Sequence, residues 1–428
     1  MRKHIYTGAM GNIWAHLISG IFFVYFGSRI GMTQLQWGLM AGISSWLIAA
    51  QILSARFSER TGRRKAIWFW LALSDRVIRL VGIGTALWIW STGGALAPIV
   101  LVASICVANL LGTMGSPPWL SWLADLIPEE EHGTFWGRRS MWVALATVAA
   151  VVPAGILMDR IPEEHRLFAA VAVFCVATLV GVLDLLIHGT IPEPVSVISG
   201  GSGLLRDLEA PLKDRSFRPW LAFNGVWTFG MTLGGALGTL YFVNQLGISH
   251  NFLGGTLVLT IFTLLGAFLS SRGSGKLVDR YGPARVLFAG HLFWSVIPLF
   301  WLLATPETAL LYLGAASIIG GSGAEAAQNA ANKLITRTPP AEKRASYAAV
   351  SSTVGNIAGG IGVMLAGWLL QLMSNRASPE FLLRWGDGFR VLFLVSLALR
   401  LTSSLVLIPR IGRRANRNDR VPVPSSTE

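Results

Sequence analysis

One carboxyl group and three amides lie close together in the stretch IIGGSGAEAAQNAANKL. Glu325, Asn329 and Asn332 are spaced i, i+4 and i+7, which places them on one stripe of a helix, and Gln328 is adjacent. A carboxyl in apolar surroundings holds a proton more readily than one in water, so Glu325 could carry protons. It could equally bind a cationic or hydroxylated substrate, or hydrogen-bond within a helix bundle, and the sequence leaves these alternatives open.

Four other side chains are candidates for contact with a substrate or a proton. Asn109 lies upstream of a proline pair, and prolines inside an apolar helix kink it and free backbone carbonyls. His16 could relay protons or be hydrogen-bonded within a bundle. Asn224 and Trp227 share one helical stretch and complete this set.

Five charged residues interrupt long apolar runs, where ionisable groups are costly and often functional. Asp75 and Arg79 are four residues apart, so they can pair on one helix face. Arg76 then needs an acid from another helix. We interpret these residues, together with Asp184 and Arg400, as structural charges.

Composition identifies the class of protein. The chain has 428 residues, of which 53% are hydrophobic and only 13% charged. About 25% charge is usual for a soluble domain, so we predict an integral membrane protein. The net charge of +13 lies in short clusters between apolar runs, which is an orientation signal and argues against nucleic-acid binding. Cys106 and Cys175 fall inside apolar runs and predict neither a disulfide nor a metal site.

Twelve apolar runs are long enough to cross a bilayer as helices. The predicted spans are 8–29, 36–57, 66–90, 96–124, 138–158, 166–188, 218–243, 251–272, 284–303, 309–333, 344–373 and 388–409. A polar stretch divides them into six and six, which predicts an N-terminal bundle (1–190), a central loop (191–217), a C-terminal bundle (218–410) and a tail (411–428).

The distribution of basic residues predicts the orientation. On one side of this arrangement the loops hold few basic residues, namely Arg29, Arg160, Arg166, Arg376 and Arg384. Since Lys and Arg accumulate on the cytoplasmic side, both termini are predicted to be cytoplasmic, and the chain is predicted to be a multi-pass protein of the inner membrane.

A charged phrase occurs twice, after the second span of each half. Residues 55–65 read ARFSERTGRRK, and residues 275–285 read GKLVDRYGPAR. A second pair of loops, 127–137 and 339–349, also aligns. Two pairs of similar loops in the same order indicate that one six-helix unit is repeated, which is typical of secondary transporters. The phrase supplies the candidate gating residues Glu59, Arg60, Gly62, Arg63, Gly275, Asp279, Arg280 and Gly282.

The second phrase resembles the loop motif G-x-L-x-D-R-x-G-R/K of the major facilitator superfamily, and the likeness covers residues 8–410. It implies an all-α fold of two pseudo-symmetric six-helix bundles. It also implies that Asp279 meets the start of the fifth helix near Arg138 and Arg139 when one side is closed. By pseudo-symmetry Glu59 would meet Lys343 and Arg344. Gly275 is expected to let a helix end pack against a neighbour.

The resulting hypothesis is a secondary transporter that moves a small solute by rocker-switch alternating access, with proton coupling as one option. The alternative is a transporter-like sensor or scaffold that binds a ligand and signals to a partner. No catalytic constellation, phosphate loop or cofactor motif is found in the sequence, so an enzyme is not expected. The expected partners are the lipid bilayer and a small-molecule substrate, and the chain is expected to be a monomer.

Overall fold

The structure, a computed structural model, describes residues 2–127, 132–194, 209, 211–246, 251–337, 344–374 and 388–411. Within these ranges the regular structure is helical, without strands. The helices follow the predicted spans in order, and most extend a few residues past the apolar run at one or both ends. The all-α membrane fold is therefore confirmed.

We number the helical spans α1 to α12. In the first half they are α1 (Arg2–Leu17 and Gly20–Arg29), α2 (Gln34–Trp46, a 3₁₀ turn Leu47–Ala50, and Gln51–Thr61), α3 (Arg64–Ser91), α4 (Ala97–Leu126), α5 (His132–Arg160) and α6 (Glu163–Gly189). In the second half they are α7 (Arg218–Gly235 and Gly238–Asn244), α8 (Phe252–Thr256, a π segment Leu257–Ile261, and Phe262–Tyr281), α9 (Pro283–Ser295 and Ile297–Leu303), α10 (Ala309–Arg337), α11 (Arg344–Ser374) and α12 (Gly388–Thr402, a π segment Ser403–Leu407, and 408–411).

Length and apolar composition qualify ten spans of the described chain as membrane-crossing helices. The remaining two are α3 and α10. The first carries Asp75, Arg76 and Arg79, and the second carries Glu325 among glycines and amides. These polar residues lower the mean hydropathy of α3 and α10, and they include candidate functional residues.

The first helix of each half is broken near its middle. In α1 the break precedes Gly20, which has φ of +62°, a left-handed conformation that glycine adopts without strain. In α7 the break falls at Ala236 and Leu237. Ser19 and Gly20 are exposed at the first break, and Gly235 and Ala236 at the second. Because broken helices leave backbone groups unpaired, such breaks are tolerated where the backbone lines a cavity or is buried in protein.

The two halves meet through glycine-lined helix crossings. A Cβ on Gly38 of α2 would lie 2.8 Å from the Gly367 Cα of α11, so only glycine permits this approach. One turn along, a Cβ on Gly42 would lie 2.8 Å from the Gly360 carbonyl. Trp46 then donates its indole N–H to the Ile357 carbonyl at 3.3 Å. All these contacts lie in the first part of α2 and the second part of α11. They are therefore far from the loops that carry the charged phrases.

The hydrophobic core has the same asymmetry. We call the end with the charged phrases the motif side, and the other end the far side. At the far side one continuous apolar cluster joins the halves, with Phe22 and Trp37 from the first and Phe252 and Val363 from the second. At the motif side the clusters of the described residues are separate. Trp68 and Trp122 belong to one in the first half, and Trp220 and Tyr347 to one in the second.

Candidate functional site

The far side is closed by a carboxylate at a helix N-terminus. Asp159, near the end of α5, accepts the backbone N–H of Phe252 at 2.6 Å and that of Leu253 at 2.9 Å. These are the first two residues of α8, where unpaired N–H groups and the helix dipole favour an anion. Phe252 also stacks on Phe22 of α1, with ring centroids 6.1 Å apart. The first and second halves are thus joined by charge and by packing at one point.

Sequence reasoning missed Asp159, although a signal was present. The residue lies in the last turn of α5, where the helix dipole disfavours an acid. An acid in that position needs a donor from elsewhere. Gly155, one turn earlier, adds to the contact, since a Cβ there would lie 3.1 Å from the Leu253 Cα.

At the motif side the two phrases form tight helix ends. Gly62 ends α2 with φ of +66°, and Gly282 joins α8 to α9 with φ of +84°. Asp279 accepts from the Lys333 ammonium of α10 at 2.5 Å, within the second half. Arg280 lies 5.3 Å from the ring of Tyr281. The positive φ values of Gly62 and Gly282 therefore form the tight ends of α2 and α8 in this state.

One expectation about the second phrase is wrong. Gly275 was expected to permit close packing of a helix end, but a Cβ at this position would meet nothing within 4 Å. Gly275 is also exposed. In this state the glycine therefore faces open space at the motif side.

The other candidate gating residues are dispersed. Arg60, Arg63 and Arg138 are exposed, whereas the Arg139 guanidinium lies 5.4 Å from the ring of Trp119 in the first half. The side chains of Glu59 and Arg344, and the whole of Lys343, lie outside the described residues. The predicted pairing of Glu59 with the start of α11 therefore also lies outside them.

The charged residues of the first half form a paired cluster. Arg79 donates to Asp75 and to the Asn109 amide oxygen, both at 2.8 Å. Arg76 donates to Asp184 of α6 at 2.8 Å. Two arginines thus face two aspartates, and the Arg76–Asp184 pair joins α3 to α6. Asn109, a candidate for substrate contact, is engaged here, since its amide also donates to Ser44 at 2.7 Å.

A histidine chain extends this cluster towards α1. His188 donates from Nδ1 to the second oxygen of Asp184 at 2.9 Å. Its Nε2 lies 3.0 Å from His4 Nδ1 and 3.2 Å from the Thr7 hydroxyl. Because Nδ1 donates, a neutral His188 accepts at Nε2. Asp184 is 3% exposed, and both of its carboxylate oxygens accept hydrogen bonds from side chains of the first half.

A cavity of about 330 Å³ lies within the second half, between α7, α9, α10 and α11. Among the predicted candidates, Asn224, Trp227 and Gln328 line it. Asn224 donates to the Ser351 carbonyl at 2.7 Å, which fixes the amide against α11. His291 was not singled out from the sequence, yet it lines the same cavity.

The remaining candidates lie elsewhere. Asn329 donates to Glu325 at 3.2 Å and to Ser274 of α8 at 2.8 Å, so this pair faces α8. Asn332 accepts from Gln328 at 2.8 Å. His16 is half-buried in α1, and its Nδ1 lies 2.9 Å from the Asn12 carbonyl. The structure thus assembles three of the eight candidates around one cavity.

Arg400 of α12 is buried behind this cavity. It is 3% exposed and donates to the carbonyls of Trp294 at 3.3 Å and Met231 at 3.2 Å. The Trp294 carbonyl has no helical donor, because the residue four positions on is Pro298, which lacks an N–H. No carboxylate pairs with Arg400 among the ion pairs of the described residues. Its guanidinium lies 5.8 Å from the Trp227 ring.

Helical spans that meet at one end, with broken first helices and polar clusters at mid-depth, define a membrane transporter. Comparison of the sequence with family models agrees, since the model of the Major Facilitator Superfamily matches residues 5–363 and 256–424. The chain belongs to the Major Facilitator Superfamily. It is therefore a multi-pass protein of a membrane-transporter family, and this family consists of transporters rather than enzymes.

A curated relative shares part of the sequence. The chain is 34% identical over 142 residues to a protein of Arabidopsis thaliana described as "Probable anion transporter 3, chloroplastic". The match covers 33% of this chain and 26% of that protein, so the chain spans about a quarter of the length of that relative.

Solved structures share the fold at low identity. A bacterial homologue of the human lysosomal transporter Spinster, inward-facing and occupied, has a TM-score of 0.69 at 15% identity, covering 98% of this chain and 97% of that chain. The nucleoside transporter NupG has a TM-score of 0.68 at 11% identity, covering 97% and 99%. A D-xylose-proton symporter has a TM-score of 0.66 at 13% identity, covering 95% and 96%. At these identities the likeness concerns the fold alone.

Proposed function

We propose that the protein is a secondary active transporter that moves a small solute by alternating access of a rocker-switch type. The observation that carries this proposal is the one-sided junction between the halves. An apolar cluster joins them at the far side, whereas the motif-side clusters are separate among the described residues. A solute could therefore reach the middle of the protein from the motif side in this state.

The proposal includes an orientation and a division of the chain. The basic loops favour cytoplasmic termini and an inner-membrane location, so the state described is inward-open. Residues 1–190 and 218–410 are the two moving bundles, 191–217 is the loop between them, and 411–428 is a tail. The transporter works as a monomer, because each chain supplies both bundles.

Two acids at opposite ends would bias the two states. Asp159 stabilises the state closed at the far side, since its acceptor contacts bridge the halves. In the opposite state Asp279 would leave Lys333 and meet the start of α5, as the family motif implies. A contact made in only one state shifts the equilibrium by its differential free energy.

Energy coupling is proposed at Glu325. Its carboxylate lies beside Asn329 at the α8–α10 contact and is partly accessible. An intramembrane carboxyl that alternates between two environments can bind and release a proton. Protonation would also remove a negative charge from the second half. The name of the Arabidopsis relative makes a small anion the first class of solute to test.

The proposal is tested in liposomes that contain the purified protein. A panel of small organic anions is supplied on one side, with and without an inward proton gradient. We expect saturable uptake of at least one of them, which the gradient stimulates and which falls back to the gradient-free rate when the gradient is collapsed. The Glu325→Gln variant should retain exchange of solute but lose stimulation by the gradient. The transport proposal fails if the protein moves no solute and its two sides never exchange accessibility.

A further inference from the structure

The cavity of the second half is walled by aromatic rings. Trp220, Phe223, Trp227, His291 and Trp294 surround a space of about 330 Å³, which is within the size range of small-molecule sites. Gln328 and Ser352 also line it and are exposed, so they mark its open edge. None of these aromatic side chains is required by the gates described above.

The rings pack against one another and form a continuous aromatic wall of the cavity. The Trp227 and His291 centroids are 4.1 Å apart with planes at 82°, and Phe223 stacks on Trp227 at 6.2 Å with planes at 29°. Trp294 closes the wall at 5.3 Å from Trp227. A flat guest can meet ring faces and ring edges here, which are the favoured geometries for aromatic pairs.

The charge near the aromatic wall is positive. The Arg400 guanidinium lies 5.8 Å from the Trp227 ring, and its hydrogen bonds go to backbone carbonyls. His291 Nδ1 is buried without a hydrogen-bond partner. Glu325, the acid of α10, bonds Asn329 beside α8 and does not line the cavity. In a low-dielectric interior an uncompensated cation attracts an anion over several ångströms.

We infer that this cavity binds a small aromatic carboxylate. The ring of the ligand lies against the aromatic wall, and its carboxylate is held by the positive field of Arg400 and by a hydrogen bond from His291. The exposed edge at Gln328 and Ser352 is the route of entry. This inference rests on the proposed function, because it names the solute class and the binding site of that transporter.

Binding is measured by isothermal titration of the purified full chain in nanodiscs, without any gradient. The probes are benzoate, 4-hydroxybenzoate and phenylacetate. Two comparators isolate the chemistry, since cyclohexanecarboxylate keeps the charge and loses the flat ring, whereas benzamide keeps the ring and loses the charge. We expect saturable binding of at least one probe, and binding at least about tenfold weaker for both comparators.

Variants assign the site. Trp227→Leu removes the central ring and should weaken probe binding by at least about tenfold. Arg400→Leu should abolish the preference for benzoate over benzamide, since it removes the charge and leaves the rings. Trp88→Leu is the matched control, because Trp88 is 67% exposed on α3 and lies in the other half. It should bind with unchanged affinity, and a thermal melt shows that each variant is folded.

Two results would overturn the inference. One is a lack of saturable binding for all three probes, and the other is equal affinity in the Trp227→Leu variant. Both are separable from failure of the transport proposal. A protein whose two sides exchange accessibility but which binds no probe refutes only the aromatic site. A protein that binds the probes but never changes accessibility refutes only transport.

Discussion

The two halves bury different charged groups. In the first half Arg76 and Arg79 face Asp184 and Asp75, so the charges balance. In the second half Arg400 donates, among the residues that the structure describes, only to backbone carbonyls, and it lies behind an aromatic cavity. The two halves therefore differ in the electrostatics of their buried charges.

This difference indicates that the two halves have different roles. A fully paired cluster satisfies its own charges and leaves no field for a ligand, so the first half is suited to act as a rigid body. An unpaired cation beside a cavity is costly unless something compensates it. Such a cation is tolerated where the negative charge of a bound ligand compensates it. Pseudo-symmetry of the fold thus does not extend to the chemistry of the cavity.

The largest expected effect concerns the first half. Asp184→Ala strands the buried Arg76 charge, and breaking a buried pair costs about 3–5 kcal/mol. We expect a large fall in the thermal midpoint of the detergent-purified protein, or no folded protein. Glu163→Ala is the control, because Glu163 pairs with Arg29 at the surface and should cost under about 1 kcal/mol. Equal midpoints for the two variants would show that the first-half cluster is not structural.

The next prediction compares the stability lost on removing Arg400 with the stability lost on removing Arg76. Arg400→Leu leaves the Trp294 and Met231 carbonyls without this donor, but it strands no opposite charge and removes a buried cation, so a cost of at most about 1–3 kcal/mol is expected. Arg76→Leu leaves Asp184 buried and unpaired, so it should cost more, about 3–5 kcal/mol. Thermal midpoints of the two variants measure the difference directly. A cost for Arg400→Leu that matches Arg76→Leu would break the contrast between the halves.

A smaller effect is expected at the far-side closure. Asp159→Ala removes an anion from a helix N-terminus, which is worth about 1–2 kcal/mol, and so favours opening at the far side. A single cysteine at Ser19, in a background with Cys106→Ser and Cys175→Ser, reports this with an impermeant maleimide. Labelling from the far side should increase about 5- to 30-fold. Labelling that stays at the wild-type level would remove Asp159 from the gate.

The smallest effect is expected at the motif. Asp279→Asn should act in the opposite direction and raise motif-side accessibility, with less transport. The side chain is 76% exposed, so a shift of at most about 1 kcal/mol is expected. Lys333→Gln separates the two roles of Asp279, because it breaks the Asp279–Lys333 pair of this state and keeps the acid that would close the motif side. Identical shifts in both variants would argue that Asp279 acts only through Lys333.

Hydropathy and the repeated phrase were sufficient to predict the fold. Ten spans of the described chain are long and apolar enough to be recognised individually, and the loop motif indicates the family from the sequence alone. The pairing of Arg79 with Asp75 follows from spacing within one helix. The sequence could not supply the partner of Arg400, since it is a carbonyl that Pro298 leaves free on another helix.

The candidate site was harder to predict because its contacts, like that of Arg400 with the Trp294 carbonyl, form between helices. Glu325 was the most prominent polar residue, yet it faces α8, because helix rotation is set by packing and not by local spacing. His291 and Trp294 lie on α9, and neither was among the residues predicted from the sequence. Asp159 acquires its role only when α8 begins beside it. Each omission concerns contacts between helices.

The central claim is that the two ends open in turn, and distances between spin labels test it most directly. One label pair, Thr61 with Tyr281, spans the motif side at the spacer position of each phrase, and the other, Glu164 with Gln245, spans the far side. In the unmodified protein we expect a narrow short distance at the far side and a long one at the motif side. Asp159→Ala should add a population in which the far-side distance lengthens while the motif-side distance shortens. Distances that stay fixed, or that lengthen together, would contradict alternating access.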